Sequence, residues 1–332
     1  MNKKLKIIII YQKVLFYNWV PSFIQKDIEI FKKHFDTTAY LFRIIKIVRL
    51  PFEIRKADMV FVWFAGYHAF VTTLINLVCK KPLVLVAGGY DVADVKEMRY
   101  GWLINPLSKR MIRFVLRHAS KILAVSEFNK DEMARNLDIT TAEVVYLSVD
   151  NTTFVPKGKK ERLIIAVSAV DSLARARVKG LDVFLQVAKK LPHEKFLIIG
   201  TQKKALQQLK ELASSNVTFL PPLPQEELLQ YYQKAKVICQ LSYYESFGVA
   251  VAEAMSCACI PAVSSRGALP ELVGDTGYCT EYGNINEIAE AIISALQDQV
   301  KGEQARKRII EHFSVEQREQ RLLTLIQLMM QD

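Results

Sequence analysis

The chain has 332 residues, of which 51% are hydrophobic and 24% charged. That length exceeds one ordinary core and suits two domains, and the balance excludes a low-complexity or disordered chain. The formal charge of +11 is uneven: residues 1–150 hold 23 Lys and Arg against 14 Asp and Glu, and the remainder holds 22 against 20. A basic first half favours phosphate-rich partners (anionic lipid, nucleic acid or phosphorylated substrates), with plain solubility as the alternative.

In chain order, KLKIIIIY (4–11) is a short β-branched run of the kind found in central parallel strands. FIQKDIEIFKKHF (23–35) places Phe23, Ile24, Ile28, Phe31 and Phe35 at helical spacing. TTAYLF, DMVFVWF, PLVLVAG and KILAVS are four further strand-length runs, with helix-like stretches between most of them. The rhythm restarts after residue 150. ERLIIAVSA (161–169), KFLIIG, NVTFL, KVICQLS and CIPAVSS read as strands. GLDVFLQVAKKL (180–191), KKALQQLKELA, PQEELLQYYQKA and NINEIAEAIISALQ read as helices. Strands alternating with helices predict a parallel sheet covered on both faces, here twice. The fold expected is α/β, two tandem Rossmann-like, doubly wound domains facing a cleft. The polar stretch 150–162 marks the boundary, giving domains 1–155 and 156–312 and a C-terminal helix, 313–332, packing back on the first domain. Ligands of such folds bind at the carboxyl ends of the strands.

Other readings bound the class. The five cysteines form no CxxC pair, and Cys257-Ala-Cys259 is not zinc spacing. Reduced, buried thiols in a cytosolic protein are expected. The start MNKKLKIIII has too short an apolar run for a secretion signal. Residues 61–78 contain no Asp, Glu, Lys or Arg, the lower edge of a membrane-spanning length. Ala-Gly-Tyr-His interrupts them, so strand, loop and helix are predicted. No metal site is expected, because the histidines are isolated and no Asp-x-Asp occurs.

YYESFGVAVAEAM (243–255) holds two carboxylates, Glu245 and Glu253, in an otherwise small, apolar or aromatic run. Carboxylates are costly to bury unless they are paired or hydrogen-bonded. Between two strands, with a helix starting near Gly248, Glu245 falls in the loop and Glu253 near the second helical turn. A wholly helical path would separate them by about 12 Å, too far to share one proton. Each can accept from paired hydroxyls of one elongated ligand. The alternative is one solvated glutamate and one structural one.

The segment YYESFGVAVAEAMSCACIPAVSSRGALPELVGDTGY (243–278) is similar to the donor-site segment of family 4 glycosyltransferases, which have the GT-B fold. Glu245, Phe247, Gly248, Glu253, Ala254, Met255, Pro261, Gly267, Pro270 and Glu271 fill the family pattern in order. Arg175-Ala-Arg177-Val-Lys179-Gly180-Leu-Asp182 resembles the family's Arg…Lys-Gly phosphate clamp. The resemblance is strong over about 161–292 and weaker, but in register, before that. It implies a retaining glycosyltransferase that takes a nucleotide-diphosphate sugar and needs no metal or other cofactor. Glu253 would hold ribose hydroxyls, and Glu245 would lie near the transferred sugar. Lys179 with Arg175 or Arg177 would neutralise the diphosphate. The helix start would supply backbone donors, with Ser246, Phe247, Gly248, Val249 and Gly267 lining the donor site.

AGGYDVADV (87–95) resembles the family's His-Asp segment, with Tyr90 in place of histidine. Asp91 is the candidate sugar-hydroxyl contact or acceptor base, against a turn-capping role. Ser126 in VSEF is a further candidate. The loop after the first strand is not glycine-rich. Its Phe16, Tyr17, Trp19 and Phe23 suit a sugar-stacking surface, a lipid-facing surface or a core. Ala258 and Ala268 stand where the family has glycine. The acceptor implied is a glycan or polyprenol-linked glycan in cell-surface polysaccharide or glycoconjugate synthesis. The implied location is the cytoplasm, peripheral on the inner membrane face, with no nucleic-acid partner. KKHF, RIIKIVRLPFEIRK and LSKRMIRFVLRH are the candidate basic, aromatic surfaces. Two alternatives stay open: a catalytically silent glycosyltransferase-like subunit, and a GT-B sugar-nucleotide epimerase.

Overall fold

A computed structural model describes residues 4–12 and 20–331. The chain divides into two units. One comprises residues up to Leu147 together with those from Arg318 onward; the other is Ser148–Gln317.

The first unit is a parallel sheet of β1 (Lys6–Tyr11), β2 (Asp36–Leu41), β3 (Met59–Trp63), β4 (Leu83–Ala87), β5 (Lys121–Ala124) and β6 (Glu143–Val144). The strands lie in the order β2-β1-β3-β4-β5-β6. Its helices are α1 (Ser22–His34), α2 (Leu50–Lys56), α3 (Tyr67–Cys79), α4 (Pro106–Arg117) and α5 (Glu127–Leu137). All five residues of β3 and all five of β4 are buried, which is why both read as unbroken apolar runs rather than as alternation. The charge-free run 61–78 resolves into the end of β3, a short loop and α3.

The second unit carries β7 (Glu161–Val170), β8 (Lys195–Thr201), β9 (Val217–Leu220), β10 (Ala235–Gln240), β11 (Ile260–Ser264) and β12 (Tyr278–Thr280). Their order is β12-β11-β10-β7-β8-β9, all parallel. This is the strand order of a dinucleotide-binding sheet, in which the chain reverses direction beside its first strand. Its helices are α6 (Leu173–Val178), α7 (Leu181–Lys190), α8 (Lys203–Leu212), α9 (Gln225–Lys234), α10 (Val249–Ser256), α11 (Leu269–Val273), α12 (Ile285–Gln297) and α13 (Lys301–His312). A last helix, α14 (Val315–Met329), starts in this unit, and from Arg318 it belongs to the first.

Arg318 fixes that return. Its guanidinium is buried and meets Asp27 on α1 in two bonds of 2.6 and 2.8 Å. It also donates to the carbonyls of Val145 and Tyr146, and Trp63 Nε1 donates to the same aspartate at 3.1 Å. Every polar atom of the ion pair's core has a partner, the condition under which a buried pair is tolerated.

Candidate functional site

In an open α/β sheet the ligand crevice lies at the strands' carboxyl ends where the order reverses. In the second unit that place is between β7 and β10. After β7, helix α6 carries Arg175 and Arg177, with Lys179 at its C-terminal end; the loop after β10 carries Glu245. The topology therefore makes neighbours of two motifs 66 residues apart.

Backbone contacts join the two loops. Tyr243 N donates to Val178 O at 2.8 Å. Gly180 has φ +69°, and a Cβ there would sit 1.8 Å from Leu241 O, so only glycine fits. Gln240 Nε2 donates to Lys179 O at 3.4 Å and to Ser242 Oγ at 2.6 Å. Within this frame Lys179 Nζ donates to Glu245 Oε2 at 2.8 Å, and Ser242 Oγ reaches the same oxygen at 3.4 Å. The Glu245 backbone is held from behind: Ala268 N donates to its carbonyl at 2.8 Å. A Cβ on Gly267 (φ +63°) would come within 2.3 Å of that carbonyl. Gly267 thus positions Glu245.

Gly248, with φ +102°, starts α10. Glu253 lies on the second turn of that helix, half-buried, and accepts from the buried Tyr232 hydroxyl at 3.1 Å. Burial pushes its pKa up to about 7, against the opposing pull of the tyrosine hydroxyl. Ser246 and Val249 are half-buried near the start of the helix. The Phe247 ring is buried and packs on Phe313 at 5.7 Å, so what this residue presents at the start of the helix is backbone.

Arg175 and Arg177 separate by helix geometry. Residues two apart on a helix point to different sides, whereas Arg175 and Lys179 are four apart on one face. The bond from Lys179 N to Arg175 O at 3.0 Å keeps that spacing helical. Arg175 is half-buried; Arg177 is exposed, and its charge acts on Asp182, whose pKa burial raises. The residues that sequence reasoning missed are Tyr232, Gln240, Ser242 and Arg266. The Arg266 guanidinium lies 4.4 Å from the centre of the Tyr243 ring and 5.6 Å from that of Tyr282, contacts that no local pattern shows.

Asp91 requires a correction. It is 1% exposed, and its oxygens accept from Ala65 N at 2.8 Å, Gly89 N at 2.8 Å and Gly88 N at 3.1 Å. It follows β4, one strand beyond the reversal between β1 and β3, and it ties the loop after β3 to its own turn, which is the capping role. Burial raises its pKa and the amides oppose that. The space that Gly88 leaves is filled by the Phe64 ring, 2.0 Å from where a Cβ would lie. Ser126 is buried and caps α5, accepting from Asn129 N at 3.0 Å. Phe16, Tyr17 and Trp19 lie outside the described residues, and Phe23 packs on Trp63 at 5.1 Å. Among the cysteines, Cys239, Cys257 and Cys259 are buried, Cys79 is half-buried, and Cys279 on the edge strand β12 is exposed. Among the described residues no group of three His, Cys, Asp or Glu is placed to hold a metal ion.

The two alanines differ. Ala268 has φ −84°, which any residue adopts. Ala258 has φ +62°, in the left-handed region that favours glycine.

Two six-stranded parallel sheets with interleaved helices define an α/β protein of the GT-B glycosyltransferase fold. Residues 152–312 match the family model for glycosyl transferases group 1. The D-inositol 3-phosphate glycosyltransferase of Mycobacterium sp. (strain KMS) is 29% identical over 206 residues, covering 55% of this chain and 46% of that protein. The MMP alpha-(1->4)-mannosyltransferase of Mycolicibacterium hassiacum is 30% identical over 249 residues, covering 67% and 58%. The chain therefore spans about half the length of the curated relatives it matches. Among solved structures, Anabaena Alr3699/HepE in complex with UDP and glucose superposes with a TM-score of 0.81 at 15% identity, covering 97% of this chain and 99% of that one.

Proposed function

We propose that the protein is a retaining family 4 glycosyltransferase that moves a sugar from a nucleotide-diphosphate donor to a glycan or polyprenol-linked acceptor. Its role would lie in cell-surface polysaccharide or glycoconjugate synthesis, on the cytoplasmic face of a membrane. The observation that carries this is the Lys179–Glu245 contact at the chain reversal of the second unit, inside the segment that matches the family model. Lys179 releases Glu245 when a diphosphate arrives, and Arg175 on the same helical side adds a second cation. Negative charge grows on the departing diphosphate in the transition state, so fixed cations there stabilise it more than the ground state. Amides at the start of α10 add donors to the phosphates. Freed from Lys179, Glu245 accepts from a hydroxyl of the transferred sugar. Glu253, held by one neutral hydroxyl, has acceptor capacity left for the ribose. Charge neutralisation comes from side chains on this account, and no metal is invoked. Retention at the anomeric carbon rests on the family resemblance.

The test is thermal stabilisation by UDP, GDP, ADP and their sugars, on wild type and Glu253→Ala. A ligand at about 100 times its dissociation constant adds roughly 2.7 kcal/mol. One nucleotide should stabilise the wild type and not the variant. No response from a folded wild type would favour a silent subunit, and turnover of donor without any acceptor would favour an epimerase.

A further inference from the structure

Helix α3 is amphipathic in the reverse sense. Its polar residues point inward: His68, Thr72, Thr73 and Asn76 are all buried. Three of them are served there: His68 Nε2 lies 2.6 Å from Trp63 O, Thr72 donates to His68 O at 2.7 Å, and Asn76 donates to Lys81 O at 2.8 Å. Its outward stripe is apolar. Tyr67, Leu74 and Val78 recur at helical spacing, with Leu77 beside them; all four are exposed, Val78 to 73%. The helix carries no charged residue. Scattered exposed apolar side chains are ordinary, but a continuous outward stripe over an inward polar face is not.

The neighbours extend the stripe. Helix α3 packs between α2 and α4. Phe52 on α2 and Leu107 on α4 are exposed to 62% and 75%. The same three helices carry a basic set: Arg55 on α2, Lys80 at the end of α3, and Arg110 and Arg117 on α4, all exposed. Glu53 is the sole acidic residue in the three helices.

We infer that the outer face of α2, α3 and α4 docks on an anionic lipid bilayer, with α3 lying in the headgroup plane. This rests on the lipid-linked acceptor proposed above and names the surface that would meet it. Thirteen residues make a helix of about 20 Å, short of the roughly 30 Å hydrocarbon core, so α3 lies along the membrane and does not cross it. An apolar stripe sinks into the acyl boundary while flanking arginines and lysines meet acidic headgroups. A second copy of the chain fits less well. A two-fold contact would place the basic set against itself.

The experiment is flotation of the full chain with vesicles of pure phosphatidylcholine and of phosphatidylcholine with one-third phosphatidylglycerol. Wild type should float with the acidic vesicles and less with the neutral ones. Leu74→Asp with Val78→Asp should weaken binding at least about tenfold, because the apolar stripe is lost. Arg110→Glu with Arg117→Glu should do the same at low salt and match wild type at high salt. Leu212→Asp with Ile310→Asp, on the second unit, should change nothing. Unchanged binding by the Leu74/Val78 variant, or no binding by wild type, overturns the inference. So does a wild-type dimer in sedimentation without vesicles that this variant converts to monomer. The nucleotide response is read on the same proteins. Its loss in wild type removes the glycosyltransferase reading alone, because vesicle binding is measured without donor.

Discussion

Asp91, in the turn after β4, is buried and Glu253 on α10 is half-buried, and the groups that meet their oxygens differ as well. Asp91 commits both oxygens to the amides of Ala65, Gly88 and Gly89. Asp27 is similarly committed, to Arg318 and Trp63. Glu253 meets one tyrosine hydroxyl, and Glu245 meets Lys179, whose side chain is 27% exposed, and Ser242 Oγ at 3.4 Å. A saturated carboxylate is part of the scaffold. One with acceptor capacity left is available to a ligand. The count of donors, beside the difference in exposure, separates them.

That contrast can be broken by mutation. Arg318→Ala leaves Asp27 a buried charge with only the Trp63 donor, and Asp91→Ala strands buried amides. Each should cost about 3–5 kcal/mol in denaturant unfolding. A loss under about 1 kcal/mol at either site would mean that its network adds little to the fold. Lys179→Ala should behave oppositely. Its stability should change by less than about 1 kcal/mol, as for a partly exposed pair, while turnover falls about 10²–10³-fold. Turnover within a fewfold of wild type would remove Lys179 from the phosphate site.

Glu253 sharpens the comparison through pH. Its folded pKa, about 7, lies above its ordinary value of 4.5. The folded state therefore holds this proton more tightly than the unfolded state. Its contribution to stability is full below pH 4.5 and is lost as pH rises through 7. Glu253→Gln should remove a loss on the order of 2 kcal/mol over that window, seen as a flatter curve of stability against pH. Nucleotide affinity should move the other way, rising through pH 7 as the carboxylate ionises, and the variant should lose that rise. The smallest effects belong to the two alanines. Ala258→Gly relieves a left-handed alanine and should stabilise by about 0.5 kcal/mol once glycine's greater unfolded freedom is subtracted. Ala268→Gly relieves nothing and should destabilise by a similar amount, about 0.5 kcal/mol. Equal signs in calorimetry would contradict this assignment.

Much of the candidate site was legible in the chain. Glu245 and Glu253 stand out because carboxylates are rare in an apolar run, and Lys179-Gly180 stands out beside them. The sequence does not show that the Phe247 ring packs into the core on Phe313. Between a ligand contact and a turn cap for Asp91 the sequence does not choose, because it does not show how many amides converge on a carboxylate. Tyr232 lies 21 residues from Glu253, and no local pattern announces that contact.

The sequence by itself determined the alternation of strands and helices and its restart in a second α/β half, because these follow from local periodicity and composition. Tertiary structure alone decided which motifs meet. The strand order sets β7 beside β10 and so brings Lys179 to Glu245. It also set the direction of α3. Periodicity marks an apolar stripe, but only packing decides whether that stripe faces the core or the outside.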